Sequence, residues 1–472
     1  MNFTLSTPIL FVLFPVFIAL ISGVFYRRRM LNYLLTSLTT VSLAVFAALM
    51  PESLTISIGP VTILFNESLG FLGRQINLTY EILPFIAFCY AVTGLWTIFS
   101  TIPIVPELFR SVSLVITALL TAAVGVEPFL YAALLIELAV LASITILSPV
   151  EEKTTSGILR YLSLQTMAMP FILLAGWLLT GIETLPPDSP LVTQSMVVLA
   201  LGIGLLLGVF PFHSWVPMVS QQANAMVTSF IFFIINISIL VFGLNFIDRY
   251  TFLRDFQSID VFLRFFGTFM IMIGGTWTSF QENLKRSLGF SVLSEIGFSL
   301  LCIGLSDQGG LYWLFLLFPA RAIGLWLWGF TLTLIEQHSD SMNIHDLQGF
   351  ARRYPILTSG LIVAQLSLAG LPLLASFPSK FNIFTAAIEI NPRMGIWSFL
   401  GNLGLFLFTF RTLSALVTPN DENTSQKWSI NEKRKAYLPI LIFIFIIILL
   451  GLFPNTFLAN LTKTLTSFNQ LQ

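Results

Sequence analysis

Four ionisable side chains lie within long apolar segments or directly after a break in one, where charge is costly and each charged group needs a physical reason. They are Glu137, Glu295, Arg321 and Lys380, and His213 follows a further apolar segment at a proline-containing break. A carboxyl group or a lysine removed from water can hold or release a proton near neutral pH, whereas arginine stays charged and only biases neighbouring protons. These residue types therefore indicate proton transfer in an apolar environment.

Each of these residues also has a structural alternative. Glu295 could form a buried ion pair with Arg321 or Lys380 that joins two helices. His213 could satisfy backbone groups freed at the break as readily as it could shuttle protons. A charge at the centre of a bilayer costs at least about 2.5–3.5 kcal/mol, so several of them beside two helix breaks favour a polar axis.

The sequence contains no pattern for other catalytic chemistry. It has 3 histidines and 2 cysteines, without metal-ligand spacing, a Gly-rich phosphate loop or a CxxC pair. Cys89 and Cys302 lie in apolar segments, as is typical of packing residues, and they are too few to suggest haem or iron–sulfur ligation. We therefore expect no cofactor and no metal, and any redox chemistry would belong to partner subunits.

The composition indicates that these residues lie in a membrane. Only 10% of the 472 residues are charged, 56% are hydrophobic, and 46 are phenylalanine. A soluble domain has about 25% charged residues, and it could not bury so much apolar surface. The 23 basic and 23 acidic residues leave no net charge to attract nucleic acid. The sequence predicts an all-α polytopic membrane protein surrounded by the lipid bilayer.

Apolar windows of about 20 residues recur along the whole chain, and they predict about fourteen transmembrane helices. The approximate ranges are 7–26, 31–50, 79–101, 109–126, 127–148, 158–181, 191–210, 224–247, 261–280, 287–305, 310–336, 355–375, 394–417 and 436–458. The first range is predicted to span the membrane rather than to be a cleaved signal peptide, because Arg27, Arg28 and Arg29 follow it instead of preceding it.

Lysine and arginine are concentrated in the loops that follow odd-numbered spans. Examples are Lys285 and Arg286, Arg352 and Arg353, and the run from Lys433 to Lys435. By the positive-inside rule, both termini should be external, and the polar stretches 336–354 and 420–435 should be cytoplasmic.

Proline interrupts two of the predicted spans. Span seven runs into 211–217, and span twelve runs into 366–372 and then 376–380. Backbone groups freed by proline cannot face lipid, so such breaks must lie within protein or line a wet cavity. Pro211 lies 74 residues after Glu137, and Pro372 lies 77 residues after Glu295. Each half therefore has an acid in its second helix and a break two helices later, although proline-containing helices could also coincide by chance.

This internal repeat predicts four parts of the chain. Residues 1–105 hold spans one to three, and 106–250 form a five-helix repeat with its break near 211–217. Residues 251–418 form a second repeat with its break near 370–380, and 419–472 hold a cytoplasmic loop and the last helix. Units that start an odd number of spans apart insert with opposite orientation, so the second repeat should be inverted.

Three segments resemble the antiporter-like subunits of complex I (NADH:quinone oxidoreductase), a family that includes Mrp-type antiporters and subunits of membrane-bound hydrogenases. They are PFHSWVP at 211–217, NLKRSLGFSVLSEIGF at 283–298, and LSLAGLP at 366–372 with PSKF at 378–381. The predicted span count, external termini and inverted repeat are also similar to the family, and the length is most like the N-type subunit.

The resemblance implies a subunit of a respiratory or hydrogenase-type complex in a prokaryotic plasma membrane. Such a subunit moves protons along a hydrated mid-membrane axis, coupled to quinone reduction elsewhere in the complex. Glu137 matches the family's fifth-span acid, and Lys380 matches its twelfth-span lysine. Leu206 and Asn236 stand where the family has lysines, and Glu295 replaces a histidine. Two carriers of the first half are therefore missing.

Three functions remain open from the sequence. The leading hypothesis is a proton-translocating subunit of a complex I-type oxidoreductase, without a redox centre of its own. Its expected path residues are Glu137, Glu295, Lys380 and His213, with Arg321 and Asn236 in supporting roles. The alternatives are a degenerate, non-conducting structural subunit of such a complex, or a subunit of an Mrp-type cation/proton antiporter or a membrane-bound hydrogenase.

Overall fold

A computed structural model describes residues 2–52, 55–58, 61–71, 73–148, 156–179, 190–250, 258–419, 428–454 and 461–468. The polar stretch predicted at 420–435 is therefore described only from residue 428. The predicted span ends at 180–181 and 455–458, and the predicted start of the second repeat at 251, lie outside the described residues.

Each of the fourteen predicted segments contains a helix. The helices of the described residues are α1 (Phe14–Val24, preceded by a π-helical turn at Ile9–Leu13), α2 (Arg29–Leu49), α3 (Leu83–Phe99), α4 (Phe109–Gly125), α5 (Ala132–Leu147), α6 (Ser156–Leu179), α7 (Pro190–Leu207), α8 (Trp215–Gln222), α9 (Ala225–Arg249), α10 (Ser258–Ser279), α11 (Leu284–Ile303), α12 (Gly310–Glu336), α13 (Phe350–Arg353), α14 (Pro355–Ala369), α15 (Phe377–Ile390), α16 (Pro392–Val417) and α17 (Arg434–Leu452).

Eleven helical segments of the described chain are long and apolar enough to cross a membrane. The fold is thus that of a predominantly helical integral membrane protein. The helices in three other predicted spans, Ile9–Val24, Phe109–Gly125 and Pro355–Ala369, have only 10–17 residues. A helix rises about 1.5 Å per residue and a hydrocarbon core is about 30 Å thick, so these three are short for a full crossing. The count of fourteen stays a prediction.

Two small β-sheets were not predicted from the sequence. The first sheet consists of β1 (Asn2–Ser6), β2 (Thr55–Ile58) and β3 (Val61–Asn66), in the order β1–β3–β2. The second sheet consists of β4 (Ser68–Phe71), β5 (Arg74–Asn77) and β6 (Val126–Glu127), in the order β4–β5–β6. In the first, β1 pairs parallel with β3, so Ser6 lies opposite Asn66. Strands of two to six residues between spans are too short to leave a hydropathy signal.

The helices differ in how deeply they are buried. In α9, α11 and α12, between 83% and 89% of the most apolar stretch is buried, so these helices form the centre of the bundle. In α6, α10 and α17 the share is 28%, as expected for helices that face lipid. Glu295 on α11 and Arg321 on α12 therefore lie on two of the central helices.

Glycines let α10 approach two of its neighbours backbone to backbone. A Cβ atom added at Gly297 of α11 would lie 2.6 Å from the backbone nitrogen of Ile271 on α10. A Cβ atom added at Gly275 of α10 would collide with the carbonyl oxygen of Gly401 on α16. Small residues at such crossings are the usual means of close helix packing in membranes. Helix α10 thereby fixes α11 and α16 on either side of itself.

We expect Gly275→Ala to destabilise the folded chain by about 1–3 kcal/mol, because the added methyl group has no space at the contact with Gly401. Thermal unfolding of the purified chain in detergent measures the effect. Gly204→Ala is the matched control, since its Cβ would meet only Val209, at 3.9 Å, and alanine favours the helix. Equal melting temperatures for the two variants would contradict the proposed crossing.

Candidate functional site

Three of the predicted residues form one buried cluster around the carboxylate of Glu295. Nε of Arg321 lies 2.5 Å from Oε2 of Glu295, and Nζ of Lys380 lies 2.7 Å from Oε1. The three side chains are 5% exposed or less. Both pairings that the sequence left open, with Arg321 and with Lys380, are therefore present at once. One carboxyl group lies between the basic side chains of α12 and α15, and with all three groups ionised the cluster has one net positive charge.

The cluster lies at the second helix break. Helix α14 ends at Ala369, Gly370 has the left-handed conformation with φ 80°, and α15 begins at Phe377. Glycine adopts this conformation without strain, and Pro378 suits the first turn of α15. Lys380 reaches back across the break, and its Nζ donates to the carbonyl oxygen of Leu368 over 2.5 Å. The last carbonyls of a helix carry partial negative charge and favour a cation there.

Two residues of this site were missed by sequence reasoning. Asn402 of α16 donates through Nδ2 to the carbonyl oxygen of Ala369 over 2.7 Å, and its Oδ1 lies 3.3 Å from Nζ of Lys380. Ser299 of α11 accepts from Nη1 of Arg321 over 2.5 Å. The available signals were a lone asparagine in an apolar span and a serine one turn after Glu295.

Several buried polar atoms near this break have no hydrogen-bond partner among the described residues. They are Nη2 of Arg321, both side-chain polar atoms of Gln365, and the hydroxyls of Ser294, Ser367, Ser376 and Ser379. Polar atoms buried without a protein partner are generally satisfied by ordered water. The second break is therefore chemically suited to hold water beside Lys380.

The first half of the chain is arranged differently. Glu137 of α5 is half-buried, and Oε1 accepts a hydrogen bond from Oγ1 of Thr166 over 2.8 Å. Leu206, which the sequence resemblance matches to an expected lysine, is buried near the end of α7. Its carbonyl oxygen accepts from Nε2 of Gln165 over 2.9 Å. At the first break, the uncharged amide of Gln165 thus donates to a backbone carbonyl. At the second break, Lys380 donates to the corresponding backbone carbonyl.

His213 and Asn236 have no charged partner in the described chain. His213 lies in the 3-10 turn Phe212–Ser214, half-buried, and its ring stacks on Phe210 with a centroid distance of 5.5 Å. Asn236 is half-buried on α9. In the described parts of the chain, no hydrogen bond or ion pair joins Glu137, His213 or Asn236 to the cluster. The structure brings together only the predicted residues of the second half.

These features define a class of protein. The chain is a polytopic membrane protein with two broken helices, and it holds titratable side chains in its interior beside one of the breaks. Comparison with known proteins then shows which family the chain resembles. The model of the transmembrane family described as NADH:quinone oxidoreductase/Mrp antiporter matches residues 177–407. The resemblance seen in the three sequence motifs is thereby confirmed.

Proteins with similar sequences share the name of one subunit. The chain is 24% identical over 284 residues to NADH-quinone oxidoreductase subunit N of Cytophaga hutchinsonii, an alignment that covers 59% of this chain and 60% of the relative. It is 26% identical over 295 residues to subunit N 1 of Herpetosiphon aurantiacus, covering 59% of this chain and 56% of the relative. The chain thus spans less than two thirds of the length of these relatives.

Solved structures share the fold over nearly the whole chain. A chain of the archaeal membrane-bound sulfane sulfur reductase has a TM-score of 0.80 at 17% identity, covering 98% of both chains. A chain of respiratory complex I from Thermus thermophilus has a TM-score of 0.74 at 16% identity, covering 97% of this chain and 99% of its own. A chain of the Mrp complex from Dietzia sp. has a TM-score of 0.77 at 14% identity, covering 98% and 97%. All three neighbours are parts of larger complexes.

Proposed function

We propose that this chain is an integral membrane subunit of a complex I-type NADH:quinone oxidoreductase that contributes to proton translocation along a mid-membrane polar axis. The observation that carries the proposal is Lys380, buried at a helix break with Glu295 and a freed backbone carbonyl as its partners. The names of the relatives, NADH-quinone oxidoreductase subunit N, support this choice of complex.

In the proposed path, Lys380 is the group that takes up and releases a proton in the second half. Its carboxylate partner Glu295 lowers the cost of holding the charge in the membrane, and Arg321 keeps that carboxylate ionised when the lysine discharges. The unpartnered hydroxyls of Ser376 and Ser379 would bind the waters that accept the proton.

The proposed path in the first half begins at Glu137, with His213 as a further group that can exchange a proton. Because Leu206 and Asn236 cannot store a proton, transfer between Glu137 and the second half would run through water, which Asn236 can bind. The hydroxyl of Thr166 holds the carboxyl group of Glu137 in place by a hydrogen bond in this scheme.

The topology we propose follows from the same comparison. It has fourteen spans, with residues 1–105 before a repeat at 106–250, an inverted repeat at 251–418, and 419–472 as a cytoplasmic loop and last helix. Both termini are then external in a prokaryotic plasma membrane. The similarity of the two breaks supports the repeat: each follows an apolar helix, α7 or α14, whose terminal carbonyls accept from side chains of other helices.

Two further functions stay as candidates, each with its own observation. A structural, non-conducting subunit is favoured by the buried Leu206, whose carbonyl is bound by a neutral amide instead of a lysine. An Mrp-type antiporter subunit stays a candidate because the Mrp chain shares the fold at a TM-score of 0.77 and 14% identity. A hydrogenase subunit stays a candidate from the resemblance of the three sequence motifs.

Affinity purification of the tagged chain from its native membranes tests the proposal directly. We expect the other membrane subunits of an NADH:quinone oxidoreductase to co-purify, together with NADH-driven proton uptake into vesicles made from the same membranes. Removal of the chain should abolish or lower that uptake. Co-purification of hydrogenase or antiporter subunits, without NADH-dependent activity, would replace this proposal by the corresponding alternative.

A further inference from the structure

Asn402 touches both the end of α14 and the lysine that lies beside it. It is 3% exposed, and no ionisable side chain precedes or follows it within the same helical turn. We propose that Asn402 is a positioning residue that retains the proton on Lys380 for as long as the lysine occupies the end of α14. The inference deepens the proposed function by assigning control of proton release to a neutral amide.

The surroundings of Lys380 match its charged form. An ammonium group has three N–H donors and no acceptor. Three oxygens surround Nζ: Oε1 of Glu295 at 2.7 Å, the carbonyl of Leu368 at 2.5 Å, and Oδ1 of Asn402 at 3.3 Å. The ring centroid of Phe298 lies 4.0 Å from the same nitrogen and adds a cation–π contact. Each donor therefore has one acceptor.

The orientation of the Asn402 amide follows from its other partner. The carbonyl oxygen of Ala369 can only accept, so the atom that faces it over 2.7 Å must be Nδ2. Oδ1 then faces Lys380. A half-turn of the amide would set its oxygen against the carbonyl of Ala369 and its NH2 group against the ammonium. The freed carbonyl at the break thus holds Asn402 in the orientation that favours a charged lysine.

Close helix packing keeps this amide in place. Asn402 lies between Gly401 and Gly404, and both glycines are pressed against α10. A Cβ atom added at Gly401 would lie 2.6 Å from the Cα atom of Met272, and one added at Gly404 would collide with the carbonyl oxygen of Gly275. The backbone of α16 on either side of Asn402 is therefore packed closely against α10.

Release of the proton changes the balance of donors and acceptors. When the ammonium passes a proton to water, it becomes an amine with two N–H donors and one lone pair. All three oxygens around Nζ are oriented to accept, so the lone pair would face an oxygen, which is unfavourable. Loss of the proton to water with these three oxygens unchanged is therefore disfavoured, and it becomes easier if Lys380 withdraws from the break or if Asn402 gives up Ala369 and donates instead.

The other groups that act on Lys380 do not supply this control. Glu295 and Arg321 are charged partners of the cluster, and among the described residues the thiol of Cys302 on α11 is a further titratable group near it. Helix α14 contains no ionisable residue, and Arg393 and Arg411 lie toward the two ends of α16. Asn402 is neutral, and rotation of its amide would replace the acceptor that faces Nζ of Lys380 by a donor.

Solid-state NMR of the full chain in lipid bilayers, labelled with 15N at the lysine side chains, tests the inference. The nitrogen shift separates ammonium from amine, and Lys380 is assigned by the signal that Lys380→Met removes. In Asn402→Leu, we expect the amine-to-ammonium ratio of Lys380 at a fixed pH of about 8 to rise roughly ten-fold, the effect of one lost hydrogen bond to a charged group. Asn402→Asp keeps an acceptor at this place and should not raise the ratio.

Asn32→Leu is the matched control. Asn32 is a fully buried asparagine of α2 that likewise donates to a backbone carbonyl, that of Ser22, over 3.0 Å. Its loss should affect stability without changing the ratio at Lys380. An unchanged ratio in a folded Asn402→Leu chain would overturn the inference. If that variant does not fold, Asn402→Ser, whose shorter side chain withdraws from Nζ, is measured against the same criterion.

The NMR measurement depends on the chain alone and not on its complex. A raised ratio in Asn402→Leu supports the positioning role of Asn402. Unchanged proton translocation in Lys380→Met would contradict only the proposed function. An unchanged ratio, with translocation lost in Lys380→Met, would contradict the positioning role and leave the proposed function standing. The two failures are therefore distinguishable.

Discussion

Lys380→Met should lower proton translocation by the assembled complex about 100-fold or more, the scale expected when a positioned proton-transfer group is removed. Methionine fills a similar volume but cannot carry a proton, and it leaves Oε1 of Glu295 and the carbonyl of Leu368 without their common donor. The measurement is NADH-driven uptake of protons into vesicles, followed with a pH-sensitive dye and normalised to the amount of assembled complex.

Two further variants distinguish the role of Lys380 as a proton carrier from the effect of its positive charge. Lys380→Arg keeps a cation at the break but cannot release it near neutral pH, so translocation should be lost while assembly is preserved. Lys433→Met removes an exposed lysine at the start of α17 and should leave translocation unchanged. Normal translocation in an assembled Lys380→Met complex would favour the structural, non-conducting alternative.

Much of the helical architecture could be predicted because its signals are local. Hydropathy marks each helical segment, and proline with glycine marks both breaks, so α7 and α14 end close to where the sequence predicts. The sheets escaped prediction because their pairing joins distant short segments, such as Ser6 with Asn66. No property of either segment alone indicates its partner.

The charged residues of the site could also be identified from the sequence, because each is surrounded by apolar residues. Which charges pair was not, because Glu295 is separated by 26 residues from Arg321 and by 85 from Lys380. Asn402 gave only the weak signal of a lone asparagine in an apolar span, because one of its partners is a backbone carbonyl. That carbonyl is available only because α14 ends at Ala369, a property of the folded chain.

The predicted proton carriers do not form one continuous set, and the difference between the halves has a physical cause. In the second half, the three ionisable groups satisfy one another at distances of 2.5 and 2.7 Å. In the first half, Glu137 is bonded to a neutral threonine, and Leu206 supplies no charge to oppose it. Among the predicted path residues, the buried charge therefore lies at the second break, and substitutions there should have the largest effects.

The balance of charge in this cluster predicts which substitution destabilises it most. With Arg321 and Lys380 charged, Glu295 reduces the net charge from two to one. Glu295→Gln leaves two buried cations facing each other, and we expect a loss of about 3–5 kcal/mol in the free energy of unfolding. Arg321→Leu leaves a neutral pair of Glu295 with Lys380 and should cost less. Unfolding of the purified chain in mixed detergent micelles measures both.

The combined variant tests whether the charges act as one unit. In Glu295→Gln with Arg321→Leu, only Lys380 remains charged, so the loss should be smaller than the sum of the two single losses. Raising the pH should also reduce the loss of stability in Glu295→Gln, because deprotonation of Lys380 removes its repulsion with Arg321. Glu127→Gln is the control, since its pair with Arg249 is partly exposed to solvent and should contribute only about 0–1 kcal/mol. Additive losses in the double variant would show that the two cations do not share the carboxylate.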